Sequence, residues 1–286
     1  MLSQRAAHTF EIYQTFTFGG APAHTPLTHT PQIEGMTTTA SISIAGLALA
    51  GALAAMCGGT PASPTTTASS PSPSTATSGT LPAVFARFGN GVQVSMDGQT
   101  VVLRTMDLPD HKSPYWGVGN ANYEPPQAGM MVNPNRIAAQ SIVFRIPSSP
   151  AASTPSDTPL GPIGVATNGV VLFNQYAAGR VPLTNEIFSF DRYNGHPSPS
   201  NQYHYHVEPL WLTASGKATL IGVLLDGFPV YGPQEENGGA PGGLDTCNGH
   251  THATADYPQG IYHYHIVSAP PYIAGCFHGA AGTVAG

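Results

Sequence analysis

The stretch Tyr203-His-Tyr-His206 occurs a second time as Tyr262-His-Tyr-His265. Two further blocks precede each copy in the same order. Ile163-Gly-Val-Ala-Thr-Asn-Gly-Val-Val-Leu-Phe173 resembles Ile221-Gly-Val-Leu-Leu-Asp-Gly-Phe-Pro-Val-Tyr231, and Asp191-Arg-Tyr-Asn-Gly-His196 resembles Asp245-Thr-Cys-Asn-Gly-His250. Three similar blocks in one order indicate an internal repeat, with units at about residues 163–206 and 221–265.

Each repeat unit predicts the same local structure: strand, Asn-Gly or Asp-Gly turn, strand, loop, and a final histidine-bearing strand. Upstream, residues 92–103 predict a hairpin around Asp97-Gly98, residues 141–146 predict a strand, and residues 148–158 predict a loop. No segment has the pattern of a long amphipathic helix. We therefore expect a mainly β fold: one β-rich domain, sandwich- or barrel-like, whose two units pack about a pseudo-two-fold axis.

Composition narrows the range of functions. Only 8% of the residues are charged, and 9 basic residues against 15 acidic ones give a net charge of -6. Without a basic surface, nucleic-acid binding has no electrostatic basis. The 12 histidines outnumber Lys and Arg together, and eight of them lie from His196 onward. Crowded imidazoles must stay neutral or repel one another, so their concentration indicates a metal-binding function.

The N-terminal region predicts export. Residues 1–35 are an unpatterned extension that precedes a second methionine, Met36, where the native chain could start. Residues 36–57 resemble a signal or lipoprotein segment, with an apolar run at 42–56 followed by Cys57. Residues 58–80 are a Ser/Thr/Pro-rich linker. We expect a secreted, periplasmic or outer-surface protein, tethered to the membrane by lipid on Cys57 or freed by simple signal cleavage.

The Tyr-His-Tyr-His strands suit metal binding because alternate side chains of a strand point to opposite faces. His204 and His206 then share one face, while the tyrosines point to the core. The two imidazoles stand roughly 6–7 Å apart along the strand and can converge on one ion. His263 and His265 repeat this arrangement in the second unit. The preceding loops can supply a third imidazole, which is His196 in the first unit and His250 in the second.

Two arrangements of these ligands remain open. Each unit could bind its own ion, or the two His-x-His strands could lie side by side and share one site. Three carboxylates are candidates for accepting a hydrogen bond from the ring nitrogen that does not bind the metal, which fixes the imidazole tautomer, namely Asp191, Asp226 and Asp245. His252 could add a ligand, although the first unit has no counterpart. Alternatively, the motif is an aromatic ladder of hydrogen-bonded neutral histidines without a metal.

Three classes of function follow from these patterns. The leading hypothesis is an extracytoplasmic metal-binding protein that uses clustered histidines, with copper favoured over zinc. A metal-dependent hydrolase or oxidase is the second, and a non-metal β-rich ligand-binding or adhesion module is the third. Whether the protein is an enzyme, and which protein partners it has, the sequence leaves open. Cys247 and Cys276 flank the second histidine strand and are predicted to form a disulfide.

The motifs resemble those of the YHYH-domain family, a group of exported proteins named for this tetrapeptide. The resemblance covers roughly residues 92–279 and predicts that residues 81–286 form one YHYH domain. The segments that carry it are Leu108-Pro-Asp-His111, Gly195-His-Pro-Ser-Pro199, Asp226-Gly-Phe-Pro-Val-Tyr-Gly232, Leu244-Asp-Thr-Cys-Asn-Gly-His250 and Pro271-Tyr-Ile-Ala-Gly-Cys276. The resemblance adds His111 as a further metal-ligand candidate. On sequence alone, His111 is a surface loop residue.

Overall fold

The computed structural model of the protein describes residues 79–286. The predicted extension at 1–35, the signal segment at 36–57, Cys57 and linker residues 58–78 lie outside the described residues. Within residues 79–286, none of the helices has the length and apolarity needed to span a membrane. The first element is a 3₁₀ helix at Ala83–Arg87, close to the predicted start of the folded region near Leu81.

The described residues are mainly β, which confirms the predicted fold class. They form β1 Gln93–Asp97, β2 Thr100–Thr105, β3 Ile142–Pro147, β4 Ala152–Asp157, β5 Pro162–Ala166, β6 Val171–Phe173, β7 Gly195–Pro197, β8 Tyr203–Tyr205, β9 Leu220–Leu224, β10 Pro229–Tyr231, β11 Gly249–His252, β12 Ile261–His265, β13 Cys276–Gly279 and β14 Thr283–Ala285. The α-helix α1 at Leu210–Thr213 has four residues. Besides the helix at Ala83–Arg87, 3₁₀ helices occur at Pro114–Trp116, Ala178–Arg180 and Glu186–Ser189.

The strands of residues 79–286 form three sheets. Four strands pair in the order β1-β2-β3-β14, and β13 pairs with β4. The remaining eight form one sheet in the order β11-β12-β10-β9-β5-β6-β8-β7, with β5 and β9 at its centre. Strands β5 to β8 form one half of this sheet, and strands β9 to β12 form the other. In each half the first strand is antiparallel to the second, the second is parallel to the fourth, and the third is antiparallel to the fourth. The two halves share one order of strands, while their pseudo-two-fold packing stays a prediction.

Two local predictions hold and one is wrong. The hairpin of β1 and β2 forms, but its turn residues are Gly98 and Gln99, because Asp97 already pairs with Thr100. Gly98 adopts φ +60°, which glycine tolerates best. The strand predicted at 141–146 is β3. The loop predicted at 148–158 instead contains β4, an exposed strand of a two-stranded sheet. Pro155 is tolerated there because it lies at an irregularity of the pairing with β13.

A single large hydrophobic core joins the four-stranded and eight-stranded sheets. The central strands β5 and β9 supply fully buried residues such as Ile163, Val165 and Ile221. Tyr203, Tyr205 and Tyr264 also belong to this core, and none of the three is exposed to solvent. The prediction that the tyrosines of the repeated tetrapeptide face the core is therefore confirmed, and their histidines occupy the opposite face of the sheet.

Candidate metal sites

The Asn-Gly-His blocks build a tight turn directly before the third histidine of each unit. Asn194 and Asn248 adopt φ values of +66° and +72°, a left-handed conformation that asparagine enters more readily than most residues. A side chain on the following Gly195 would lie 2.3 Å from the Tyr203 ring and hydroxyl. Glycine is therefore required at this position, because the tyrosine of the repeated tetrapeptide packs directly over it.

The histidine after each turn lies on a strand, so the prediction that it comes from a loop is wrong. His196 belongs to β7 and pairs directly with His204 on β8. In the second unit His250 on β11 pairs with His263 on β12. Side chains at paired positions of antiparallel strands stand about 5 Å apart on one face, which brings each third imidazole to its partners.

The first histidine cluster consists of Glu186, His196, His204 and His206. One ligand atom from each residue lies within 4.8 Å of all the others. The Nε2 atoms of His204 and His206 are 3.0 Å apart, and Nε2 of His196 lies 3.2 Å from Oε1 of Glu186. Two donors bound to one tetrahedral ion at about 2 Å are separated by about 3.3 Å. The spacing in the first cluster therefore fits a shared transition-metal ion.

Hydrogen bonds fix the tautomers of the first cluster. Nδ1 of His204 lies 3.0 Å from the Gln202 carbonyl oxygen, and Nδ1 of His206 lies 2.6 Å from the Asn174 carbonyl oxygen. A carbonyl oxygen only accepts, so both Nδ1 atoms carry the proton and both Nε2 atoms keep a free lone pair. Their contact at 3.0 Å is then between two acceptors and is repulsive until a cation lies between them.

His196 obtains the same tautomer from Ser189. The Ser189 hydroxyl donates to the Glu186 carbonyl oxygen at 2.7 Å, so it accepts from Nδ1 of His196 at 2.8 Å. Asn133 lies at 3.5 Å from this nitrogen, while its amide donates at 3.1 Å to the Pro197 carbonyl oxygen. Nε2 of His196 is buried without a hydrogen bond and faces the carboxylate of Glu186, another acceptor.

The second histidine cluster consists of Glu235, His250, His252, His263 and His265, again with one ligand atom each within 4.8 Å of the others. Glu235 is central: its carboxylate oxygens lie 3.3 Å, 3.1 Å and 3.6 Å from the Nε2 atoms of His250, His252 and His265. The Nε2 atoms of His250, His263 and His265 are buried and form no hydrogen bond within the described residues. This cluster thus has one donor more than the first.

Backbone carbonyl groups fix all four tautomers of the second cluster. Each Nδ1 lies 2.7–2.9 Å from a carbonyl oxygen, in the pairs His250 with Gly242, His252 with Ala253, His263 with Ile261, and His265 with Gly232. Every imidazole therefore directs the lone pair of Nε2 into the cluster. In metal proteins the second ring nitrogen of a histidine ligand almost always donates in this way.

Burial lowers the pKa of the imidazoles in the two Tyr-His-Tyr-His strands and so keeps them neutral, as metal ligands must be. Desolvation lowers the pKa of both His206 and His263 to about 4. It also lowers the pKa of His204, assisted by the neighbouring His196 and His206. For Glu186 burial alone would raise the pKa, but the nearby rings of His196 and His206 lower it overall. At neutral pH the imidazoles of the two Tyr-His-Tyr-His strands are therefore uncharged.

The two clusters are separate sites. The strands β8 and β12, which carry the repeated tetrapeptides, are not neighbours, because β10, β9, β5 and β6 lie between them in the sheet. Of the two arrangements that the sequence left open, the side-by-side pairing of the two His-x-His strands does not occur. Each unit instead assembles its own set of imidazoles and one carboxylate.

The three aspartates do not contact the cluster imidazoles, so the role predicted for them is wrong. Asp191 accepts from the Tyr203 hydroxyl at 2.8 Å, and Asp226 accepts from the Tyr264 hydroxyl at 2.6 Å. Asp245 likewise accepts from the tyrosine hydroxyl at the start of the second tetrapeptide, at 3.1 Å. These carboxylates lie on the tyrosine face of the sheet, because strand alternation separates them from the histidines.

His111 does not lie in either cluster. Its Nε2 is 2.9 Å from the Tyr205 hydroxyl, and Nδ1 is 2.9 Å from the Lys112 carbonyl oxygen. Tyr205 is on the tyrosine face, so His111 packs on the opposite side of the sheet from the first cluster. The interpretation of His111 as a surface residue is also wrong, because only 3% of it is exposed and burial lowers its pKa.

The predicted disulfide between Cys247 and Cys276 is present. It joins the turn before β11 to β13, residues that are 29 positions apart in the chain. Tyr193 occupies the position of Cys247 in the first unit, so only the second unit is covalently closed. The bridge holds the strand of His250 close to the C-terminal part of the domain.

Three residues that build the clusters were not predicted from the sequence. Glu186 and Glu235 lie in the loops between the second and third strands of their units, and these loops differ in length and sequence. The one signal in the sequence for these two ligands was that glutamate is scarce in the histidine-rich repeat units. Ser189 was also missed, because nothing in the sequence shows that its hydroxyl reaches His196. His252 was predicted as a possible additional ligand, and it lies in the second cluster.

Comparison with known protein families identifies one match. The family model described as "YHYH protein" matches residues 143–239 and 234–279, a region that contains both clusters and the disulfide. The corresponding comparisons with curated proteins and with solved structures gave no match.

Proposed function

We propose, from the premise that residues 143–279 belong to the YHYH protein family, that the protein binds two transition-metal ions outside the cytoplasm, one at each histidine cluster. The observation that carries this proposal is the common orientation of the imidazoles. All seven cluster histidines place Nδ1 against an acceptor and direct Nε2 inward. Purely structural histidines would instead pair both ring nitrogens.

Charge supports a cation at each cluster. The Nε2 lone pairs and a carboxylate converge without a donor among the described residues, which is electrostatically unfavourable in a buried site. A divalent ion compensates for this arrangement by accepting all the lone pairs at once. The bound ion would be held by Glu186 and three imidazoles in the first cluster, and by Glu235 and four imidazoles in the second.

We further propose copper rather than zinc as the resident ion. Imidazole and carboxylate ligands suit both metals, but copper(II) binds most tightly in the divalent series. The disulfide is typical of proteins from oxidising compartments, where copper is not buffered as it is in the cytosol. Signal-directed export through residues 36–57, and a lipid tether at Cys57, complete this proposal. Storage, delivery or sensing of the ion are the functions that fit two built sites.

Elemental analysis of the untagged protein tests the proposal. We expect about two ions per chain after loading, one ion for His204→Ala/His206→Ala, and one for His263→Ala/His265→Ala. His278→Ala is the matched control, because His278 lies outside both clusters, and it should retain two ions. A metal content unaffected by either double substitution would refute the proposal, and a protein that binds no ion after loading would favour the non-metal ligand-binding or adhesion alternative.

The choice of copper has its own test. Protein dialysed against equimolar copper and zinc should contain copper at both clusters. If zinc alone is retained, the preference for copper is wrong while metal binding stands.

A further inference from the structure

A cavity of about 530 Å³ opens onto the first cluster. Its walls include the donor residues Glu186, His196, His204 and His206. This volume lies within the usual range for sites that bind small molecules. A slightly larger cavity, about 580 Å³, lies beside Tyr272 and Cys276, but no cluster residue lines it.

The rest of the cavity wall is largely apolar. Phe173 forms part of it and stacks on His204, with ring centroids 4.0 Å apart. Leu160 lies at the wall with 45% of its surface exposed. No lysine or arginine lines the cavity. A ligand that enters would therefore bury an apolar body against these side chains and find charge compensation only at the cluster itself.

The second cluster adjoins a cavity of about 440 Å³, but polar residues rather than apolar ones line most of it. His252 follows His250 by two residues, and the residue at the same position after His196 is Ser198. His252 directs a further imidazole at Glu235, whereas Ser198 lines the cavity and its hydroxyl is paired with Ser200 at 2.8 Å. The space that the fifth donor fills in the second cluster is thus open in the first. The cavity beside the second cluster has no Phe, Tyr or Leu in its wall, unlike the cavity beside the first.

We infer that the ion of the first cluster keeps a coordination position open to this cavity and binds there a small monoanion with an apolar body, such as an aryl or alkyl carboxylate. This inference rests on the proposed function. The charge follows from the donors: three neutral imidazoles, one carboxylate and a divalent ion leave one positive charge. A monoanion neutralises that charge inside an apolar cavity, where an unpaired charge is costly. The second cluster, with five donors, only holds its ion.

Calorimetry and visible spectroscopy of the copper(II)-loaded full chain test this inference. The probes are phenylacetate, acetate, which lacks the apolar body, and 2-phenylethanol, which lacks the charge. We expect one phenylacetate per chain, a shift of the copper ligand-field band, and binding about tenfold or more tighter than that of either other probe.

Ser198→His places an imidazole where the second cluster has His252. It should retain both ions and weaken phenylacetate binding about tenfold or more. Ser200→His is the matched control, because Ser200 is exposed and does not line the cavity, and it should bind phenylacetate normally. Leu160→Asp, an exposed position at the cavity, should also weaken binding through repulsion of the anion.

The outcomes separate the two proposals. Two bound ions without phenylacetate binding, or with equal binding of all three probes, would overturn the inference and leave the metal sites standing. Unchanged phenylacetate binding in Ser198→His with both ions retained would overturn it as well. A chain that binds no ion refutes the proposed function itself.

Discussion

Ser189→Ala should weaken metal binding at the first cluster and leave the second unchanged. The Ser189 hydroxyl accepts from Nδ1 of His196 at 2.8 Å and is oriented by its own bond to the Glu186 carbonyl oxygen at 2.7 Å. Alanine removes that acceptor, so the His196 ring can take the other tautomer or rotate away. Losing the partner that orients a metal-bound histidine typically costs 10–100-fold in affinity. This corresponds to about 1.4–2.8 kcal/mol of binding free energy.

The assay is a copper titration against a competing chelator. It is best done in the His263→Ala/His265→Ala background, where only the first cluster remains. Ser200→Ala is the control, because Ser200 is exposed and has no contact with a cluster histidine. An affinity within about twofold of the parent, in a protein with an unchanged circular dichroism spectrum, would refute the reasoning that Ser189 fixes the ligand.

Acid should destabilise the metal-free protein. The pKa of His206 is about 4 in the folded protein and 6.5 in the unfolded chain, so the unfolded chain binds more protons between these pH values. The free energy of unfolding should fall between pH 6.5 and 4, by about 3 kcal/mol for such a buried imidazole, and a pH-independent urea midpoint would contradict this. Cys247→Ser/Cys276→Ser should lower the free energy of unfolding by about 3–4 kcal/mol, since the bridge closes a loop of 29 residues. Urea denaturation measures this loss of stability, and an unchanged midpoint would contradict the prediction. Tyr264→Phe should lower the free energy of unfolding by about 1–3 kcal/mol, because Asp226 loses a buried hydrogen-bond donor at 2.6 Å. The metal content should stay at two ions, and loss of an ion would show that the tyrosine face also supports the sites.

The repeat and the alternation of strands were enough to predict the faces of the site. They placed His204 and His206 together, with the tyrosines of the same strand in the core, because side-chain direction along a strand follows from sequence spacing alone. The pairing of His196 with His204 was not predictable, since register between strands depends on the intervening turn.

Contacts that depend on loops could not be predicted. Glu186 and Glu235 reach their clusters from loops of different lengths, so no alignment of the two units brings them together. The aspartates were expected behind the imidazoles, but they follow the tyrosine side of the sheet. His111 was a metal-ligand candidate because of the family resemblance, and the motif that contains it does not indicate which face of the sheet His111 packs against. Strand β4 was not predicted because its pairing with β13 links distant parts of the chain, and all six of its residues are exposed, so it has no apolar face.

Anomalous diffraction from crystals of the copper-loaded protein tests the central claim most directly. We predict two strong peaks per chain at the copper edge, each about 2 Å from the Nε2 atoms of at least three cluster histidines. The first peak should lie among His196, His204 and His206, and the second among His250, His263 and His265. Peaks absent from both clusters, or copper bound through Nδ1 with the ring bonds to backbone carbonyl groups broken, would contradict the account.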